Sequence, residues 1–270
     1  MVQYRYESSV LIITYRIEKV NRDKQEMNIK SKEIVMIKTI LFDLDGTLLP
    51  MDQDAFSKAY FKHLSEYLAP YGYEPQSLVG GVWQGTKAMV KNNGSQTNEQ
   101  VFWKKFAELF GDKVYSDVDK FNEFYATDFD KLKSYCGFNE QANQTIKRLN
   151  ETGYTLVLAS NPVFPVEAQK KRMLWADINP DDFALIMSYE NSHFCKPNPL
   201  YYKEIAEKLG VKPGDCLMVG NDTTEDAAAT LTGADFFLLT DCLLNNERKD
   251  ISKYKHGSFA QLLNYIENLK

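Results

Sequence analysis

Two aspartates stand two residues apart where an apolar run of the sequence ends. Asp43 and Asp45 follow the Ile, Leu and Phe of residues 40–42, and Gly46 and Thr47 come directly after them. Side chains two positions apart in a strand point to the same side, so both carboxylates are expected to face one site. Gly46 can take a positive φ and end the strand, and the Thr47 hydroxyl can bond the turned backbone. This arrangement favours acid–base or nucleophilic chemistry, although a bare Asp-x-Asp-Gly also fits an ordinary acidic turn.

The rest of the chain predicts a sheet that would position this pair. From residue 36 onward, short apolar segments alternate with helical ones, which is typical of a parallel α/β sheet. Besides the strand before Asp43, strands are predicted at residues 155–159, 184–187, 216–219 and 235–239, and helices at residues 140–152 and 198–209. Ligands of such sheets bind beyond the carboxyl ends of the strands.

Polar residues occur at three further strand ends or loops. Ser160 and Asn161 follow the second predicted strand, Lys196 precedes a helix, and Asp222 and Asp226 follow the fourth strand. Together with the aspartate pair, these segments resemble the four motifs of the haloacid dehalogenase-like superfamily, in the same order. The resemblance covers about residue 36 to the C-terminus. Four motifs in order, each in its expected structural context, are far more specific than any one of them.

The resemblance implies a site for phosphoryl transfer. Asp43 would be the nucleophile that forms an aspartyl-phosphate, and Asp45 would protonate the leaving alcohol and then activate water. Lys196 would neutralise the phosphate and help to position Asp43. Ser160 and Asn161 would bind the phosphate oxygens through the hydroxyl and nearby backbone donors.

The resemblance also implies Mg²⁺ as cofactor. Its ligands would be the side chains of Asp43 and Asp222 and the backbone carbonyl of Asp45, since Mg²⁺ prefers oxygen ligands and screens neighbouring carboxylates. The fourth motif departs from the family's commonest form, because Asn221 stands where an aspartate usually follows the glycine. Asp222, the next residue, is therefore assigned as the ligand.

Two residues are expected to support these groups from outside. Thr47 would support the nucleophile, Asp43. Asp226 would be either a metal ligand through water or a partner that orients Lys196, since such outer groups fix the inner ones.

The second aspartate narrows the expected reaction. Dehalogenase members need no acid for a leaving halide and typically lack an equivalent of Asp45, so a phosphatase acting on a small phosphorylated metabolite is favoured. A phosphomutase would keep the same residues, and a non-catalytic binding or regulatory protein could keep the fold. The sequence leaves the substrate's identity and the oligomeric state open.

The interval between the first two strands predicts a separate domain. Aromatic residues recur there at helical spacing, as in Phe56 and Tyr60, and predict an all-helical cap over residues 52–136. The cap would be inserted into a Rossmann-like, three-layer α/β/α core of residues 36–51 and 137–270. Gly80 with Gly81 is expected to form a turn. Trp83, Trp103 and Tyr125 are candidate pocket residues, although burial in the helical bundle is expected for each.

Composition excludes several other classes of protein. The chain has 270 residues and a net charge of -5, which predicts no nucleic-acid partner and no membrane association. Its four cysteines form no Cys-x-x-Cys pair, which fits reduced thiols in the cytoplasm. Residues 1–35 read as an N-terminal extension, either poorly ordered and preceding a natural start at Met27 or Met36, or added to a sheet edge.

Overall fold

The computed structural model describes residues 37–269, which contain a parallel sheet of six strands. In chain order the strands are β1 (Thr39–Phe42), β2 (Thr155–Leu158), β3 (Leu185–Ile186), β4 (Cys216–Gly220), β5 (Asp235–Leu239) and β6 (Lys255–Gly257). Their order across the sheet is β3-β2-β1-β4-β5-β6, and every neighbouring pair is parallel. The chain leaves β1 toward β2 on one side and returns to β4 on the other. This reversal of strand order places a crevice beyond the carboxyl end of β1, where ligands of such sheets bind.

The two faces of the sheet are covered by different helices. The helices that follow residue 136 are α5 (Glu140–Glu151), α6 (Val166–Trp175), α7 (Pro199–Leu209) and α8 (Phe259–Glu267). Ile40 and Phe42 pack in a buried cluster with α5, α6 and α8, whereas Leu41 packs with α7 and the 3₁₀ helix Asp226–Thr232. Alternate residues of β1 therefore serve opposite faces, and the core has the predicted three layers.

The chain between β1 and α5 is helical. It forms α1 (Gln53–Leu68), α2 (Pro75–Val90), α3 (Asn98–Phe110) and α4 (Lys113–Ala126), followed by the 3₁₀ helix Asp128–Tyr135. The Asp52 side chain caps α1 by accepting from the N–H groups of Asp54 and Ala55, and Thr97 begins α3 with a capping box. The segment's two connections to the sheet run side by side, because Met51 forms an antiparallel bridge with Cys136.

The predicted turn at Gly80 and Gly81 is wrong, because α2 runs through both residues. A Cβ atom on Gly81 would lie 2.4 Å from the Phe110 ring, and one on Gly85 would lie 2.5 Å from the Phe102 ring. Because Gly81 and Gly85 have no side chain, α2 and α3 can approach closely, so these two glycines serve helix packing.

Other sequence predictions have mixed outcomes. The five predicted strands are present, and β6 is an additional edge strand that the sequence reading missed. The residues assigned to an N-terminal extension, 1–35, lie outside the described residues. No helix within residues 37–269 is both long and apolar enough to cross a membrane.

Candidate active site

The strand ends bring the sequence-predicted residues together. Asp43 directly follows β1, and its backbone N–H donates to the Val219 carbonyl of β4 at 2.9 Å. Ser160 lies two residues beyond β2, and Asn221 directly follows β4. Because β1, β2 and β4 are adjacent in the sheet, these side chains meet at the carboxyl ends of the strands. The position is the crevice where the strand order reverses.

A buried lysine, Lys196, lies between two carboxylates at the carboxyl ends of the strands. Lys196 is 1 % exposed, and its Nζ lies 2.8 Å from Asp43 Oδ1 and 2.6 Å from Asp226 Oδ1. Burial opposes the charge on the ammonium group, but the carboxylates of Asp226 and Asp43 more than offset it and raise the pKa of Lys196 well above its ordinary value. The ammonium group therefore stays charged at every physiological pH.

The second oxygen of Asp43 is held by Thr47. The Thr47 hydroxyl lies 3.1 Å from Asp43 Oδ2 and 3.0 Å from Asn221 Oδ1, so its single proton is shared between these two side-chain acceptors rather than donated to the turned backbone. Gly46 has a φ of +84°, and a Cβ atom there would lie 2.4 Å from Asn221 Nδ2. Gly46 is thus required both for the turn and for the close approach of Asn221.

The loop after β4 fixes its two aspartates through its own backbone. Asp222 Oδ1 accepts from the N–H groups of Thr224 at 2.6 Å and Glu225 at 2.8 Å. Asp226 Oδ2 accepts from the Asp222 N–H at 2.9 Å. A Cβ atom on Gly220 would lie only 2.1 Å from Asp226 Oδ2, so the glycine of this motif makes room for the carboxylate beneath Lys196.

Arg172 on α6 is a site residue that the sequence reading missed. Its side chain is fully buried, and it forms an ion pair with Asp45 Oδ2. The same guanidinium donates to Gln169 Oε1 at 2.7 Å and to the Ala168 carbonyl at 3.2 Å, which fixes its orientation. Burial raises the pKa of Asp45, and Arg172 opposes that rise. The Oδ1 atom of Asp45 has no hydrogen-bond partner among residues 37–269.

Glu225, for which the sequence predicted no role, also lies beside the predicted phosphate-binding residue Asn161. Asn161 Nδ2 donates to Glu225 Oε2 at 3.1 Å, while Asn161 Oδ1 is buried without a partner among the described residues. Burial, opposed in part by Lys196, raises the pKa of Glu225 to about 7. Ser160 is buried, and its carbonyl accepts from the Tyr201 hydroxyl at 2.7 Å.

The site opens into a cavity of about 440 Å³ that extends toward the helical segment. On the sheet side it is lined by Asp43, Asp45, Ser160, Asn161, Arg172, Asn221, Asp222, Glu225 and Asp226. Trp103 and Tyr125 line it and are buried, as expected, but the burial predicted for Trp83 is wrong, because this side chain is 57 % exposed at the cavity wall. No group of three or more His, Cys, Asp or Glu residues suited to a metal ion occurs between residues 37 and 269.

Curated relatives span most of the chain at low identity. The chain is 26 % identical over 188 residues to pyrophosphatase PpaX of Halalkalibacterium halodurans, which covers 69 % of this chain and 76 % of the relative. It is also 26 % identical over 241 residues to phosphoglycolate phosphatase of Vibrio vulnificus, covering 85 % of this chain and 96 % of the relative. A bifunctional riboflavin kinase/FMN phosphatase of Arabidopsis thaliana is 28 % identical over 184 residues, which are 67 % of this chain and 42 % of that protein.

Solved structures match the fold, and a family model matches most of the sequence. A 2-haloacid dehalogenase from Pseudomonas syringae superimposes with a TM-score of 0.57 at 18 % identity, covering 87 % of this chain and all of that chain. A predicted phosphoglycolate phosphatase from Haemophilus somnus gives a TM-score of 0.51 at 19 % identity, covering 85 % and 97 %. The model of the haloacid dehalogenase-like hydrolases matches residues 37–230, which include every site residue described above. The chain therefore belongs to the haloacid dehalogenase-like hydrolase family.

Proposed function

We propose that this protein is a Mg²⁺-dependent phosphatase that hydrolyses a small-molecule phosphate monoester through an aspartyl-phosphate on Asp43. The observation that carries the proposal is the buried Lys196 between Asp43 and Asp226. Asp45, two residues after Asp43 in the chain, lines the same cavity as Asp43. The phosphatase names of the curated relatives support the proposal.

Asp43 is held as a nucleophile would need to be. Lys196 binds one carboxylate oxygen and Thr47 the other, so the side chain cannot rotate away from the cavity. Fixing the attacking atom in advance removes much of the entropic cost of the reaction. The charge of Lys196 also lowers the cost of bringing an anionic phosphate to a carboxylate.

Asp45 carries the proton in this proposal. Its carboxyl would give a proton to the leaving alcohol and later take one from water. Burial raises the pKa of Asp45 and favours the protonated form needed first, whereas Arg172 favours the ionised form needed second. The opposing influences would let one carboxyl serve in both half-reactions.

The oxygen atoms at the carboxyl ends of the strands are of the chemical kind that Mg²⁺ prefers. Asp222 uses Oδ1 for two backbone N–H groups, which leaves Oδ2 for a cation, and the Asp43 carboxylate lines the same cavity. With the backbone carbonyl of Asp45, these groups form the set of hard oxygen donors that Mg²⁺ prefers, completed by water. Bound there, Mg²⁺ would screen the carboxylates and stabilise charge on the phosphate oxygens.

We also propose that residues 52–136 act as a cap over the site. The connections at Met51 and Cys136 lie side by side, so small backbone rotations at these two points would move the helical segment as a unit. Closure would exclude bulk water while the ester reacts, and opening would release the product.

The experiment for this proposal measures phosphate release from a panel of phosphate monoesters with Mg²⁺ and with EDTA. Release is expected with Mg²⁺, and EDTA should lower it to the background rate, with recovery when excess Mg²⁺ is added back. Release that is unchanged by EDTA would contradict the metal requirement. No release from any ester at any metal concentration would contradict the phosphatase itself.

Replacing Arg172 with methionine is expected to lower kcat by about 10- to 100-fold, because Asp45 loses the partner that orients it. Without the guanidinium, the ionised form of Asp45 is less favoured and the pKa of Asp45 rises further. Asp45 must be protonated to act as an acid, so the alkaline limb of kcat/KM against pH should move to higher pH. Arg148→Met is the control, since Arg148 pairs with Glu267 on the surface. An alkaline limb that stays in place would show that Arg172 does not act through Asp45.

A further inference from the structure

The side chains that the helical segment contributes to the cavity are mainly aromatic or aliphatic. Thirteen of its lining residues belong to the helical segment, and ten of these are aromatic or aliphatic, eight of them with rings. Phe61 and Trp83 pack against each other with ring centroids 5.4 Å apart. Tyr60 and Phe164 meet edge to face at 5.4 Å, so rings from the helical segment and the core share one wall. Such walls bind flat apolar groups by stacking and by excluding water.

Positive charge is scarce in the same cavity. Among its lining residues the one cationic side chain is Arg172, and that group already binds Asp45, Gln169 and the Ala168 carbonyl. Lys196 is likewise committed to Asp43 and Asp226. A carboxylate or second phosphate on the leaving group would enter this space without a free cation, and an unpaired buried charge is costly. The cavity is therefore poorly suited to phosphoglycolate or pyrophosphate.

Hydrogen-bonding groups are also few among these side chains of the helical segment. Gln53, Ser57 and Thr86 are the polar side chains that the helical segment contributes besides the ring hydroxyls and indoles. The hydroxyls of Tyr60 and Tyr125 bond each other at 2.8 Å. A sugar, whose hydroxyls each need a partner when buried, would leave most of them unsatisfied.

We propose that the substrate is a phosphate monoester of an apolar, aromatic alcohol, whose ring lies among Tyr60, Phe61, Trp83 and Phe102 while its phosphate lies at Asp43. The proposal rests on the proposed phosphatase function. The cavity volume of about 440 Å³ is in the range that holds a small organic ligand. A fused two-ring group fills more of it than a single ring and should bind better.

The test compares esters whose leaving groups are all primary alcohols, so that differences in leaving-group chemistry are small. With Mg²⁺ and wild-type protein, kcat/KM is expected to fall from 2-naphthylmethyl phosphate to benzyl phosphate, with glycerol 3-phosphate and phosphoglycolate lower still, by about 100-fold from first to last. Equal or higher values for the polar esters would overturn the proposal.

A binding measurement separates this inference from the phosphatase proposal. Calorimetry with 2-naphthylmethylphosphonate and with phosphonoacetate, neither of which is a phosphate ester, reports the cavity's preference without turnover. Tight binding of the naphthyl compound without hydrolysis of any ester would support the inference while contradicting the phosphatase. Preference for phosphonoacetate would overturn the inference even if esters were hydrolysed.

Variants of the cavity wall test which rings are responsible for the preference for aromatic esters. Trp83→Ala and Phe61→Ala should each lower kcat/KM for 2-naphthylmethyl phosphate by about tenfold and change it less than about twofold for glycerol 3-phosphate. Tyr115→Ala is the matched control, because Tyr115 is an exposed aromatic residue of the helical segment outside the cavity lining. Equal losses on both esters, or no loss on either, would show that these rings do not select the substrate.

Discussion

Replacing Asp43 with asparagine is expected to lower kcat by about four orders of magnitude or more, because an amide cannot attack phosphorus to form the covalent intermediate. The fold should survive, since the amide oxygen can still accept from Lys196, whose other carboxylate partner, Asp226, remains in place. Phosphate release under saturating Mg²⁺ measures the first effect. Thermal unfolding measures the second, with a change in stability of no more than about 2 kcal/mol.

The matched control for that variant is Asp119→Asn, which removes a carboxylate from an exposed position of α4. It should leave kcat unchanged. Substantial turnover by a pure Asp43→Asn protein would mean that water attacks the ester directly, and the proposed covalent route would be wrong.

Replacing Lys196 with methionine should produce the largest combined loss. Asp43 and Asp226 would be left buried without their shared cation, which is expected to lower the free energy of unfolding by about 3–5 kcal/mol. The rate should fall by at least about 10³-fold, since the phosphate loses its positive charge and the nucleophile its anchor. Chemical denaturation and phosphate release, each compared with the exposed-lysine variant Lys203→Met, measure both effects.

The stability loss should also depend on pH, with a sign that follows from the charges. The ammonium group of Lys196 stays charged from pH 5 to pH 8, whereas burial, opposed by Lys196, raises the pKa of its partner Asp226 to about 7, so the ion pair between them is strongest at the alkaline end of this range. In the variant, the pKa of Asp226 loses the opposing charge of Lys196 and rises further, so protonation of this carboxyl relieves more of the loss at low pH. The deficit should therefore be smaller at pH 5 than at pH 8. A deficit that grows toward pH 5 would contradict this assignment of charges.

Most of the site residues at the carboxyl ends of the strands could be predicted, because each is indicated by the short sequence segment around it. Asp43 and Asp45 follow an apolar strand, Asp222 and Asp226 follow another, and a parallel sheet brings such strand ends together. The motifs thus indicated which side chains would be neighbours before any contact was known. The same local reading failed at Gly81, where a glycine that suggested a turn instead allows two helices to pack closely.

Arg172 could not be identified in this way, because it contacts Asp45 across 127 positions of the chain. In sequence it ends a run of three basic residues, and basic side chains are usually exposed. The available signal is its spacing, since Ala168, Gln169, Arg172 and Met173 form the buried face of α6. A charged residue on an otherwise buried stripe indicates a partner without saying which one.

The character of the cavity was also beyond a sequence reading. Aromatic stripes at helical spacing predict a bundle core equally well whether the rings pack on one another or face a ligand. Only the relative placement of the helical segment and the sheet distinguishes Tyr60 and Trp103, which border the cavity, from Phe106 and Phe124, which do not.

The covalent route through Asp43 is tested most directly by trapping the aspartyl-phosphate intermediate. Protein mixed with Mg²⁺ and 2-naphthylmethyl phosphate, or with whichever ester of the panel it hydrolyses fastest, is quenched in acid during turnover. It is then digested and mapped by mass spectrometry. A phosphoryl group is expected on Asp43, where hydroxylamine removes it, and it should be absent from the Asp43→Asn protein. Phosphate on another residue, or turnover with no phosphorylated peptide at any quench time, would contradict the covalent route.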